Sequence, residues 1–294
     1  MPVQETKAIA TQIKKLSRIP TGIYTFDSII RGGFPSGSLV LLSAEVGAGN
    51  REFAYTSAAM LSLLKTDLIK YNTVIAQLEG PLMKDESLKL PASICYISFS
   101  QSKEDLLMEL KRSFPPDFAG SLNSMVFKDF SNNGPYNPKI EVEKNWLFAK
   151  EGEGSLHLLK ELISTLESRA PESLVIIDSL TSLMRACCFD WRNFIRFLEY
   201  IQKRSKRWDG LVYLLLGKGI LENTKEEEVM DLVDGVLVFD WVQDGFLRQQ
   251  AIHMKKFTGL MPNLAKDNIV RFDTMVTNTD GFMVINVKHI SGRQ

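Results

Sequence analysis

Cysteine and histidine are scarce, with three of each in 294 residues. Cys95, Cys187 and Cys188 form no C-x-x-C pair, which excludes the disulfide framework of a small secreted protein and makes a reducing cytoplasm the expected compartment. His157, His253 and His289 lie far apart and fit no Cys/His ligand spacing, so no metal site is expected. Net charge is missing too. The 35 Lys and Arg balance 35 Asp and Glu, leaving no global field to draw the chain to nucleic acid or an anionic membrane. No run approaches the roughly 20 apolar residues of a membrane helix. The first residues mix acids and bases before any apolar segment, unlike a signal peptide, and a soluble protein is expected.

What is present is ordinary globular content: 45% hydrophobic and 24% charged residues, enough for a large core and inconsistent with a disordered or collagen-like chain. Short β-branched runs alternate with longer helical-period segments, the rhythm of an α/β sheet. Residues 38–43 (SLVLLS) predict a strand, then a glycine-bearing turn, then a helix over 51–65. Residues 67–92 break the period and carry two prolines, so they read as a surface insertion before a strand at 93–99. A helix over 103–114 capped by Ser102, a strand at 124–130, a long loop over 131–154 and a helix over 155–169 follow. The run Leu174–Ile177 predicts a buried parallel strand delivering Asp178 at its C-terminal end. A helix over 193–208 and a strand over 210–216 complete this pattern, and strands at 236–242, 248–256, 269–273 and 282–287 predict an antiparallel meander.

The turn after the first core strand carries the chemical information. A phosphate-cradling loop has the form G-x-x-x-x-G-K-[ST]: its glycines let backbone N–H groups approach phosphate, its lysine neutralises charge, and its hydroxyl holds magnesium. Here the turn runs Ala44, Glu45, Val46, Gly47, Ala48, Gly49, Asn50, Arg51. Alanine stands at the first glycine, asparagine at the lysine and arginine at the hydroxyl residue.

The flanking residues Thr21-Gly22-Ile23, Phe26-Asp27, Gly32-Gly33, Pro35 and Gly37-Ser38, followed by this loop, resemble the start of the RecA-like core of KaiC-type ATPases. The segment from Val175 to Leu180 resembles that family's second nucleotide motif, with Asp178 as its acid. The resemblance spans about residues 19–290. It implies an α/β fold of three α/β/α layers, with a mainly parallel central sheet and a C-terminal antiparallel β meander. Residues 1–18 would be an N-terminal extension, and 19–294 a single domain with an insertion at about 67–92. Where active relatives place a water-activating glutamate pair, this chain has Ser100 and Gln101, neither of which is a carboxylate base. Where the family often has K-x-R reaching a neighbouring subunit's nucleotide, this chain has Lys255, Lys256 and Phe257.

Loss of lysine, hydroxyl and glutamate together implies a pseudo-ATPase with no catalytic residues, kept for regulation or assembly. Glu45, Val46, Gly47, Ala48, Gly49, Asn50, Arg51 and Asp178 form the degenerate nucleotide site. No cofactor is expected to be required, and any ATP or ADP would be held without strong dependence on magnesium. The implied partners are copies of the chain or an active RecA/KaiC-like paralogue. Two alternatives stay open. One is a nucleic-acid-binding scaffold, resembling Elongator subunits or recombinase paralogues, using Lys203, Arg204, Lys206 and Arg207. These four equally suit a solvated helix end, and Lys14, Lys15 and Arg18 form a second small basic group. The other is a weak ATPase in which Arg51 and Lys255 or Lys256 replace the missing charges.

Overall fold

The computed structural model describes residues 16–79, 86–131, 153–187, 190–244 and 247–289. The chain starts with β1 (Leu16–Ile19), α1 (Tyr24–Ile29), β2 (Phe34–Pro35), β3 (Ser38–Ala44) and α2 (Asn50–Thr66). Then come α3 (Leu68–Glu79), β4 (Glu86–Leu88), β5 (Ile94–Ser98), α4 (Lys103–Ser113), α5 (Pro116–Leu122) and β6 (Val126–Asp129). The middle holds α6 (Glu153–Arg169), β7 (Leu174–Asp178), α7 (Leu180–Ala186), α8 (Trp191–Trp208), β8 (Leu211–Gly217) and α9 (Asn223–Leu232). The last part is β9 (Gly235–Asp244), β10 (Leu247–Phe257), α10 (Met261–Lys266), β11 (Ile269–Thr277) and β12 (Gly281–His289).

Nine strands form the main sheet in the order β12-β11-β10-β9-β3-β8-β7-β5-β6. Strands β9, β3, β8, β7, β5 and β6 run parallel, whereas β9 to β12 form the antiparallel meander. The expected three-layer architecture is the observed one. The central parallel strands β3, β7 and β8 are buried along almost their whole length and are mostly aliphatic because both faces are covered. On one face Val40 and Leu42 join Phe26, Phe53, Phe239, Phe272 and Phe282; on the other Leu39 and Leu41 join Phe194, Leu198 and Ile201 of α8.

The segment expected as an insertion is organised. It forms α3, and then β4 pairs in parallel with β1 in a small second sheet. The reason is Arg18, whose guanidinium meets the Glu86 carboxylate through two hydrogen bonds of 2.6 and 2.9 Å. Arg18 is therefore a buried, bidentate anchor and not part of a surface basic group; Lys14 and Lys15 lie outside the described residues, as does most of the loop expected over 131–154. Helices α1, α5, α7, α9 and α10 escaped the sequence reading because they are short, or in α9 too polar for its apolar stripe to stand out.

Asp27 explains the chain's approach to β3. Its buried carboxylate accepts the N–H of Thr21 (2.8 Å) and of Gly22 (2.9 Å), tying the turn before α1 to the helix. Burial outweighs these hydrogen bonds and pushes its pKa from 3.8 up to about 7. The native state thus holds a proton that the unfolded chain has already released. The associated stability is full below pH 4 and is lost as pH rises towards 7. Asp27→Asn cannot titrate, and its single side-chain carbonyl satisfies only one of the two donors, a constant loss. Urea midpoints taken from pH 4 to 8 should therefore fall for the wild type relative to the variant; parallel curves would remove Asp27 as the cause.

The meander closes against the helices at its edge. Strand β12 ends the sheet, and its outward N–H groups at Phe282 and Val284 donate to the Thr56 hydroxyl of α2 (2.8 Å) and the Thr25 hydroxyl of α1 (3.2 Å). Among the described residues no helix is long and apolar enough to cross a membrane.

Candidate functional site

The loop between β3 and α2 lies at the C-terminal ends of the parallel strands, where α/β sheets place their ligand sites. Gly47 (φ 73°) and Gly49 (φ 104°) adopt the left-handed conformation that turns the chain into the helix. Meander side chains hold the loop: Gln250 Nε2 donates to the Gly47 carbonyl (2.8 Å) and Trp241 Nε1 to the Val46 carbonyl (3.1 Å). Two of the loop's N–H groups are already committed, Glu45 to the Phe239 carbonyl and Ala48 to that of Glu45. The Glu45 carboxylate meets Lys218, which also pairs with Asp240. Val46 projects fully into solvent at the tip.

Asn50, at the lysine position, turns inward and donates Nδ2 to the Leu42 carbonyl at 3.0 Å. Arg51, at the hydroxyl position, extends to Asp178, with Nη2 to Oδ1 at 3.1 Å. The structure thus brings together two residues that sequence alone placed 127 positions apart. The other oxygen, Asp178 Oδ2, accepts the Tyr96 hydroxyl at 2.6 Å. The Tyr96 ring lies beside that of Tyr55, with centroids 6.0 Å apart, and the Tyr55 hydroxyl accepts from Gln101 Nε2 at 3.3 Å. A continuous chain of contacts, Gln101–Tyr55–Tyr96–Asp178–Arg51, therefore fills the ends of β5 and β7.

The electrostatics follow this geometry. Partial burial disfavours the charge on Arg51, but the Asp178 carboxylate outweighs it and raises the guanidinium pKa above its usual value. Burial, reinforced by the Asp178 charge, keeps Tyr55 and Tyr96 protonated far above their usual range. Burial likewise raises the carboxyl pKa of Glu109 on α4, opposed by Arg51. Tyr55, Tyr96 and Glu109 were not found by sequence reasoning. One signal was available for Tyr55, which follows Arg51 by four residues and so shares its helix face.

This donor set does not suit magnesium. The ion needs several oxygen ligands and ordered water in an octahedron, whereas one Asp178 oxygen faces a guanidinium and the other a phenol donor. Position 51 offers no hydroxyl, and among the described residues no group of three or more His, Cys, Asp or Glu could hold a metal.

The remaining expected charges are turned elsewhere. Lys255 Nζ meets Glu227 Oε1 at 2.5 Å and Lys256 Nζ the Asp231 carbonyl at 2.6 Å, so both lysines are tied to α9 of their own chain. Arg204 pairs with Glu167 of α6, and Lys206 with Asp234 at 2.7 Å. Lys203 and Arg207 are exposed on α8.

No protein-family model and no curated protein matches this sequence. Among solved structures, the fold is similar to that of a KaiC-like protein from the hyperthermophilic archaeon Pyrococcus horikoshii OT3, with a TM-score of 0.59 and 17% identity over 92% of this chain and 100% of that one. It is also similar to the flagellar accessory protein FlaH from Methanocaldococcus jannaschii, with a TM-score of 0.57 and 13% identity over 89% of this chain and 95% of that one. The architecture is thus that of the KaiC-like, RecA-type fold, as the motifs around the loop imply.

Proposed function

We propose that this chain is a RecA/KaiC-like pseudo-ATPase, a regulatory or assembly protein that keeps the nucleotide fold without its hydrolytic chemistry. The observation that carries this reading is the Arg51–Asp178 ion pair. In the motif set that the sequence resembles, the hydroxyl at position 51 and the acid at 178 would share a magnesium ion; here a guanidinium fixed to the backbone supplies that positive charge. Asn50 bonds its own strand in place of a phosphate-neutralising lysine. Fold likeness alone leaves function open, so the reading rests on these replacements. The protein would act as a homo-oligomer or beside an active paralogue in the cytoplasm. Any ATP or ADP would bind through loop N–H groups and Arg51 and would not depend strongly on magnesium.

Thermal melts with ATP or ADP, in magnesium or EDTA, test this. The wild type should melt at the same temperature in magnesium and EDTA. Asn50→Lys/Arg51→Thr restores the lysine and hydroxyl and should gain a magnesium-dependent shift. A ligand at a hundredfold excess over its Kd adds about 2.7 kcal/mol, roughly 4–5 °C for a domain this size. A magnesium-dependent shift in the wild type, together with phosphate release abolished by Asp178→Ala, would overturn the proposal in favour of a working ATPase.

A further inference from the structure

Helix α8 is 18 residues long and strongly two-faced. Phe194, Phe197, Leu198, Ile201 and Trp208 are buried in the core. On the opposite face, Arg192, Arg196, Lys203 and Arg207 are exposed, at spacings of four, seven and four residues that keep them in one line. The stripe is about 22 Å long at 1.5 Å per residue. None of the four forms an ion pair among the described residues, unlike Arg204 and Lys206 beside them. The neutral overall charge conceals this stripe because acids balance it, among them Glu222 at the N-cap of the adjacent helix α9 and Glu227, Glu228 and Asp231 within that helix.

We infer that this face of α8 binds the phosphodiester backbone of double-stranded nucleic acid without reading its sequence. Protein partners are held by buried apolar anchors, and no large exposed apolar side chain of the molecule lies on α8. A polyanion needs no such anchor, since affinity comes from cations that displace counterions. Three of the four cations are arginines, whose planar fork suits phosphate oxygens. A single-strand binder also needs free aromatic faces for stacking. Trp191, the aromatic residue at the start of the stripe, is already engaged: its N–H donates to Glu228 at 2.7 Å and Lys225 lies over its ring. Glu199 is the one acid within the line and opposes binding.

Anisotropy of a labelled 20-base-pair DNA duplex, titrated with the full-length protein between 50 and 200 mM KCl, tests the inference. Four phosphate contacts give a slope of about −3.6 in log K against log salt, or roughly a hundredfold weakening over that range. Arg192→Gln/Arg196→Gln/Lys203→Gln/Arg207→Gln should flatten the slope and cut affinity at 50 mM at least tenfold without moving the melting temperature. The Arg192→Lys/Arg196→Lys/Arg207→Lys variant should keep the slope, and Glu199→Gln should tighten binding a few-fold. Three outcomes would overturn the inference: no duplex binding at 50 mM, binding untouched by the glutamine variant, or equal affinity for polyglutamate. A salt-sensitive self-association lost in the glutamine variant, seen by sedimentation without duplex binding, would also overturn it by assigning the stripe to contact between copies.

Discussion

Asp178→Ala is expected to lower the stability of the ligand-free protein by about 3 kcal/mol. Two donors lose their acceptor: the fully buried Tyr96 hydroxyl and the Arg51 guanidinium. A buried donor left unsatisfied costs about 1–3 kcal/mol. Breaking a fully buried ion pair costs about 3–5 kcal/mol, but the Arg51 side chain is 43% exposed, and solvent screening reduces its share to about 1 kcal/mol. Arg51→Ala should cost less, about 2 kcal/mol, because Tyr96 still holds the remaining carboxylate. A double-mutant cycle by urea denaturation should therefore give a coupling near 1 kcal/mol between the two sites. A carboxylate kept for catalysis behaves differently, since its removal relieves a buried charge. A neutral or stabilising Asp178→Ala would thus argue for a residue held ready for chemistry.

Gly33→Ala should be more damaging, by about 4 kcal/mol or more. Gly33 has φ +104°, and a Cβ there would lie 2.2 Å from the Ile19 carbonyl oxygen and 2.5 Å from Pro20 Cα. Both neighbours are backbone, so no side chain can swing aside. The left-handed conformation alone costs an L-residue about 1–2 kcal/mol, and overpacking commonly adds about 1–3 kcal/mol or more. Gly219 separates the two contributions: its φ is +75°, but a Cβ there meets nothing within 4 Å. Gly219→Ala should cost about 1 kcal/mol. If equilibrium unfolding placed the two variants within 1 kcal/mol of each other, the close approach of β1 to the Gly32-Gly33 turn would not hold in solution.

The parallel strands were legible because burial on both faces leaves them no polar alternation, as in Leu174–Ile177, and because glycines mark their exits. The helix over 103–113 was legible because Ser102 and Asp105 form a capping box. The strand inside segment 67–92 was not legible because β4 is held by a long-range pair, Arg18 with Glu86, that leaves no periodic trace nearby. The degenerate loop was readable by position, residue against motif. What the substituted residues do was not. Asn50 could have faced a ligand instead of Leu42, and only the juxtaposition of β5 and β7 brings Tyr96 and Arg51 to opposite sides of one carboxylate. Charge was misleading when summed over the chain, since the α8 stripe and the acids of α9 cancel in the total.

The threonine hydroxyls at the β12 edge bear on how the molecule stays discrete. An exposed edge strand is a template on which another chain can add, and β12 carries the exposed apolar residue Ile285. Because Phe282 and Val284 already donate to Thr56 and Thr25, an incoming strand would find these two rungs of its ladder taken. This edge of the sheet is therefore capped against edge-to-edge growth by two residues more than 200 positions away in sequence. Fibrillation should begin from this strand only after α1 or α2 has peeled away.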